Sequence, residues 1–132
     1  MKKMVKRALA LGICVMLILS SVIFVSAASA TFFSRPVGSH RCTGRGTVTD
    51  GMGQAAFNAT ALPGQPILPD EAYSCSVWVL AYDSAGNELG AEHSTGHTSA
   101  SATYEPKTSF IDFIGCSFEF NGEDFGPYLL RK

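Results

Sequence analysis

The chain has 132 residues, four cysteines and a formal net charge of −1, and is 46% hydrophobic and 16% charged. That length holds one domain and hardly two. The small charge speaks against a nucleic-acid binder, and the apolar content is too high for a wholly disordered chain.

Residues 1–30 read as an address. Met1 to Arg7 carries Lys2, Lys3, Lys6 and Arg7 and no acid, Ala8 to Val25 runs without a charge, and Ser26-Ala27-Ala28-Ser29-Ala30 follows. These are the basic, apolar and small-residue regions of a secretory signal peptide. Ala28-Ser29-Ala30 offers a cut before Thr31, and Val25-Ser26-Ala27 offers one before Ala28. The alternative is an uncleaved N-terminal helix that anchors the chain, because the apolar run approaches spanning length. Cys14 lies inside that run behind Ile13, lacks the small residue that precedes a lipidated cysteine, and leaves with the signal. The short, lysine-rich leader resembles those of small exported bacterial proteins.

The expected organisation is therefore a signal at 1–30, an N-terminal arm at 31–39 and a single β domain at 40–132. Without the first thirty residues, 102 remain, with six bases against eleven acids and a charge of −5. No membrane contact is expected after cleavage. Export places the domain where disulfides are permitted.

Thr31 to Ser39 shows no clear period. His40 to Thr49 alternates His40, Cys42, Gly44, Gly46 and Val48 against polar residues, the pattern of a half-buried strand. Its two inward glycines point to a bulge or a close backbone approach. Asp50 to Gly53 is turn chemistry. Gln54 to Leu62 alternates Ala55, Phe57, Ala59 and Ala61. Pro63 to Pro69 contains three prolines and is a loop. Tyr73 to Tyr82 is the strongest strand, with Cys75, Val77, Val79 and Ala81 on one face and Trp78, Leu80 and Tyr82 on the other. Two apolar faces predict a central position, with Trp78 in the core.

Asp83 to Asn87 is a hairpin loop from which Glu88 to His93 returns. His97 to Tyr104 is a small-residue strand suited to a sheet edge. Phe110 to Phe120 alternates again, placing Phe110, Asp112, Ile114, Cys116, Phe118 and Phe120 together. Asn121-Gly122 is the clearest hairpin signal, and Phe125 to Leu130 forms a last strand. Six or seven short strands predict an antiparallel β-sandwich of immunoglobulin-like size, with a small β-barrel as the alternative.

Cys42, Cys75 and Cys116 remain after cleavage and allow one intramolecular disulfide. Cys42–Cys116 is favoured because it ties the first strand to one of the last; Cys75 is the alternative partner. His40, Cys42, His93 and His97 are weak candidates for a zinc-type site, because H-x-C and H-x3-H spacings are not diagnostic. Asn121-Gly122-Glu123-Asp124 clusters oxygen ligands but lacks the spacing of a calcium loop. Trp78 and Tyr82, four residues apart on one face, could instead stack on a sugar.

No nucleophile elbow, phosphate-binding glycine loop or H-E-x-x-H motif is present. The expected function is non-catalytic, without a cofactor: a secreted module that binds an extracellular protein or cell-envelope component. The alternatives are a secreted metal protein or enzyme using the His and Cys residues, and an antimicrobial-type protein.

Overall fold

Small residues alternating with polar ones build one sheet, and Phe, Val and Ile alternating with polar ones build the other. The computed structural model describes residues 27–132. Cys14 and most of the expected signal lie outside the described residues. The strands are β1 (Ala28–Val37), β2 (His40–Thr49), β3 (Met52–Ala61), β4 (Cys75–Tyr82), β5 (Glu88–Gly96), β6 (Ser99–Tyr104), β7 (Phe113–Phe120) and β8 (Glu123–Arg131). They form two antiparallel four-stranded sheets, ordered β1-β2-β3-β6 and β5-β4-β7-β8. The sheets stack as a sandwich and do not close into a barrel.

The segment expected as an arm is a strand. Its period is hidden because the β1–β2 register shifts between Thr31 and Phe33, which leaves Phe32 as an extra residue. A bulge of this kind lets two consecutive side chains turn to the same side. Phe32 and Phe33 both lie over β2, where Gly46 and Gly44 make room for them. A Cβ at Gly46 would stand 2.7 Å from Phe32 Cζ, and one at Gly44 would collide with the Phe33 ring. The inward glycines of β2 thus mark a close approach, and the bulge they pointed to sits on the neighbouring strand.

β2 buries His40, Cys42, Gly44, Gly46 and Val48, as its alternation predicts. β4 lies between β5 and β7, the central position expected of it. β6 is an edge strand. The chain crosses between the sheets three times, from β3 to β4 through the three-proline loop and a 3-10 turn at Asp70–Ala72, from β5 to β6 and from β6 to β7. Asn121 and Gly122 both adopt positive φ, 50° and 82°, as a tight two-residue hairpin requires. In the β4–β5 hairpin, the Asp83 carboxylate accepts the N–H groups of Asn87 at 2.9 Å and Ala85 at 3.0 Å. These donors, Asn87 first, hold its pKa below the usual carboxylate range.

β7 starts later than its pattern suggests. Ile111 is fully buried while Phe110 is 77% exposed, so the alternation changes phase before Phe113. The backbone explains it: Ile111 N–H donates to Asp50 O at 3.0 Å and Asp112 N–H to Tyr82 O at 2.8 Å, tying this segment to the β2–β3 turn and to the end of β4.

The core takes its bulk from the second sheet and its neighbours. Phe118, Phe120, Ile111 and Ile114 are its largest fully buried side chains. The first sheet faces them with Ala55, Ala59 and Ala102 as well as Phe57. At one side of the sandwich, Phe33 stacks on Phe125 at 4.5 Å. There the Arg35 guanidinium covers the Phe125 ring at 4.7 Å and reaches Glu123 at 3.4 Å. Charge divides by sheet. The four strands of the first sheet hold Arg35, Arg41 and Arg45 and no acid. Those of the second hold Glu88, Glu92, Glu119, Glu123 and Asp124 with one base, Arg131.

Candidate functional site

The three histidines do not form one group: His40 and His97 both border Tyr73, while His93 lies apart against Trp78. His40 is 3% exposed, its Nδ1 lies 2.9 Å from Ser39 Oγ, and its ring meets Tyr73 edge-on at 4.5 Å. His97 Nδ1 lies 3.0 Å from the Tyr73 carbonyl oxygen. His93 is on the outer face of the second sheet, stacked on Trp78. Cys42 faces the core. Among the described residues, no group of three or more His, Cys, Asp or Glu side chains could hold a metal ion.

The cysteines correct an expectation: Cys42, Cys75 and Cys116 are free, buried thiols. Register is the reason. The residue of β2 that faces Cys116 is Gly46, whose Cβ would lie 3.4 Å from the sulfur. Cys42 is four residues further along, about 13 Å at strand rise. Cys75 pairs with Phe120 and Cys116 with Val79, so these two are offset along β4 by the same amount. No Cα of β2 lies within 8 Å of one of β4, which separates Cys42 from Cys75 beyond disulfide reach.

Burial raises all three thiol pKa values, Cys42 to about 11 and Cys116 to about 12. At Cys42 the Glu123 carboxylate adds to burial and Arg35 opposes it. A thiol reagent at pH 8 is therefore expected to leave all three unlabelled in the folded protein and to label all three in denaturant. Labelling of one thiol in denaturant without reductant would indicate a disulfide.

The pH dependence has a definite sign. Above about 9 the unfolded thiols ionise while the folded ones stay neutral. Stability is then lost as pH rises, by at most about 1.4 kcal/mol per thiol per pH unit. Denaturation midpoints are expected to be flat in this term below pH 8 and to fall between pH 9 and 11. A Cys116→Ala variant is expected to show a shallower fall.

What the structure does bring together is an aromatic strip. The outer face of β4 presents Trp78, Leu80 and Tyr82, half-buried and outside the core. The expectation of Trp78 as a core residue is therefore overturned: β4 is central within its sheet, but among the described residues that sheet is covered on one face only. Across the strands Trp78 pairs with His93 and Ser117, Leu80 with Ala91 and Gly115, and Tyr82 with Phe113. Trp78 and His93 stack with ring centres 4.6 Å apart and planes 21° from parallel. Tyr82 and Phe113 stack at 4.7 Å and 9°.

The second stack continues outward. The Arg131 guanidinium lies over Phe113 at 5.0 Å, held by Asp112 at 3.1 Å. The two stacks stand about 13 Å apart along β4, with Leu80 between them. Gly115 keeps the floor low, since a Cβ there would already touch Tyr82 and Leu129, at 3.7 and 3.6 Å. Leu129 is 71% exposed. A depression of about 310 Å³ opens beside Phe113, Leu129 and Arg131.

The strip offers ring faces and edges, one hydroxyl row neighbour in Ser117 and little charge. Its outward acids are Glu88, Glu119 and Asp124, and its one cation is already paired. Sequence spacing located Trp78 and Tyr82 as a pair. The contributions of Phe113, Gly115, Leu129 and Arg131 depend on strand order, which spacing does not carry. No protein-family model, curated protein or solved structure matches the chain.

Proposed function

We propose that the chain is an exported, non-catalytic binding module, and that the aromatic strip of its second sheet holds a neutral glycan of the cell envelope. The observation that carries this reading is the pair of aromatic stacks flanking Leu80 on a solvent-facing sheet. Half-buried aromatic rings on an outer sheet face keep ring area free that gains by contact with a ligand. A sugar ring suits them, because its C–H bonds carry partial positive charge and the ring faces carry partial negative charge. The acids around the strip disfavour an anionic ligand, and its paired arginine offers no free cation. The basic, apolar and small-residue order of residues 1–30 supports export.

Trp78 is the chain's one tryptophan, so its emission reports directly on the strip. The protein is titrated with neutral oligosaccharides of hexose and N-acetylhexosamine type. A saturable emission change is expected, nearly independent of salt. Trp78→Ala is expected to weaken retention on the matching polysaccharide about tenfold or more, equivalent to about 1.4 kcal/mol, while the domain stays folded. A silent tryptophan with no retention on any of these glycans would overturn the reading. Binding that collapses in salt would point to a cationic protein partner instead.

A further inference from the structure

We infer that the bond hydrolysed on export is Ala27–Ala28, so that the released chain begins at Ala28. This rests on the export reading above and decides between its two small-residue motifs. By sequence the other motif is the better one: Ala28-Ser29-Ala30 has alanine at both positions a signal peptidase inspects, whereas Val25-Ser26-Ala27 has one. The fold argues the opposite way.

Residues 28–30 are part of the domain. Ala28 pairs with Val48, Ser29 with Thr47 and Ala30 with Gly46. Ala28 packs against the core cluster, and its partner Val48 is fully buried. Ser29 Oγ lies 3.2 Å from Thr47 Oγ1. A cut after Ala30 would remove all three pairs and uncover the outer end of β2. It would also place a new ammonium group at Thr31, directly before the Phe32 bulge. A cut after Ala27 removes nothing from the ladder, because Ala27 is exposed and precedes the strand.

The fold bears on the choice in two ways, by access before the cut and by completeness of the product after it. A peptidase binds its substrate as an extended, unpaired segment. If the domain folds first, Ala30–Thr31 is locked inside the β1–β2 ladder while Ala27–Ala28 sits at its open end. If cutting comes first, only the Ala28 product can form the whole of β1. In the step itself, water adds across the peptide bond: Ala27 leaves with the carboxylate and Ala28 keeps the ammonium.

The test is N-terminal sequencing and intact mass of the protein recovered outside cells that express the full chain. The expected terminus is Ala-Ser-Ala-Thr-Phe. A terminus of Thr-Phe-Phe overturns the inference and leaves export standing. A chain that keeps Met1 and is found only inside the cells overturns both. Ala27→Gln is expected to abolish the Ala28 terminus, and Ala30→Gln to retain it; loss of that terminus in Ala30→Gln also overturns the inference.

Discussion

Gly44→Val is expected to destabilise the domain by about 3 kcal/mol or more, at the upper end for overpacked cores. At about 4–8 °C per kcal/mol for a domain near this size, the melting temperature should fall by roughly 12 °C or more. The Phe33 ring occupies the space a side chain would need at Gly44. It cannot simply move aside, because Phe33 is stacked on Phe125 at 4.5 Å and sits edge-on to Phe118 at 5.5 Å. A Gly44→Ala variant is expected to lose less, and adding Phe33→Leu to it should recover part of the loss. A thermal melt of Gly44→Val within about 3 °C of the parent would show that the β1–β2 contact is looser than described.

Phe118→Ala is expected to cost about 3–5 kcal/mol, the range for removing a buried phenylalanine. Phe118 is 1% exposed and touches both sheets. Its ring lies 6.2 Å from Phe32, 5.5 Å from Phe33, 6.4 Å from Phe57 and 6.3 Å from Tyr128. These neighbours belong to β1, β3 and β8, so the cavity cannot be closed by one local shift. Against a total stability of about 5–15 kcal/mol for a domain, that loss takes a large part of the whole. Denaturant unfolding measures it. A loss below about 1.5 kcal/mol would mean the surrounding rings collapse into the space. Because both substitutions act through Phe33, their effects should not add.

These two sites show what was legible in the residues. Alternation with period two identified β2 to every residue of its buried face, and identified the core face of β4. It failed at β1, where a bulge puts Phe32 and Phe33 on one side and breaks the period. It failed again before β7, where backbone bonds to the β2–β3 turn and to the end of β4 set the phase at Ile111. The cysteines failed for a related reason. Each was correctly placed on an inward face, but a disulfide depends on register between strands, and register set Gly46 rather than Cys42 opposite Cys116. The strip was half legible: Trp78 and Tyr82 share a strand, whereas Phe113, Leu129 and Arg131 join them only through the order β4-β7-β8.

The division of charge between the sheets has an effect that needs no contact. Arg35 is paired with Glu123 across the sheets, but Arg41 and Arg45 lie on the outer face of the first sheet and Glu88, Glu119 and Asp124 on that of the second, which separates charge through the thickness of the domain. Near an anionic surface at low ionic strength it experiences a torque that turns the first sheet inward. The effect fades beyond a screening length of about 8 Å at physiological salt. In that pose the aromatic strip, on the far side, faces away into solution.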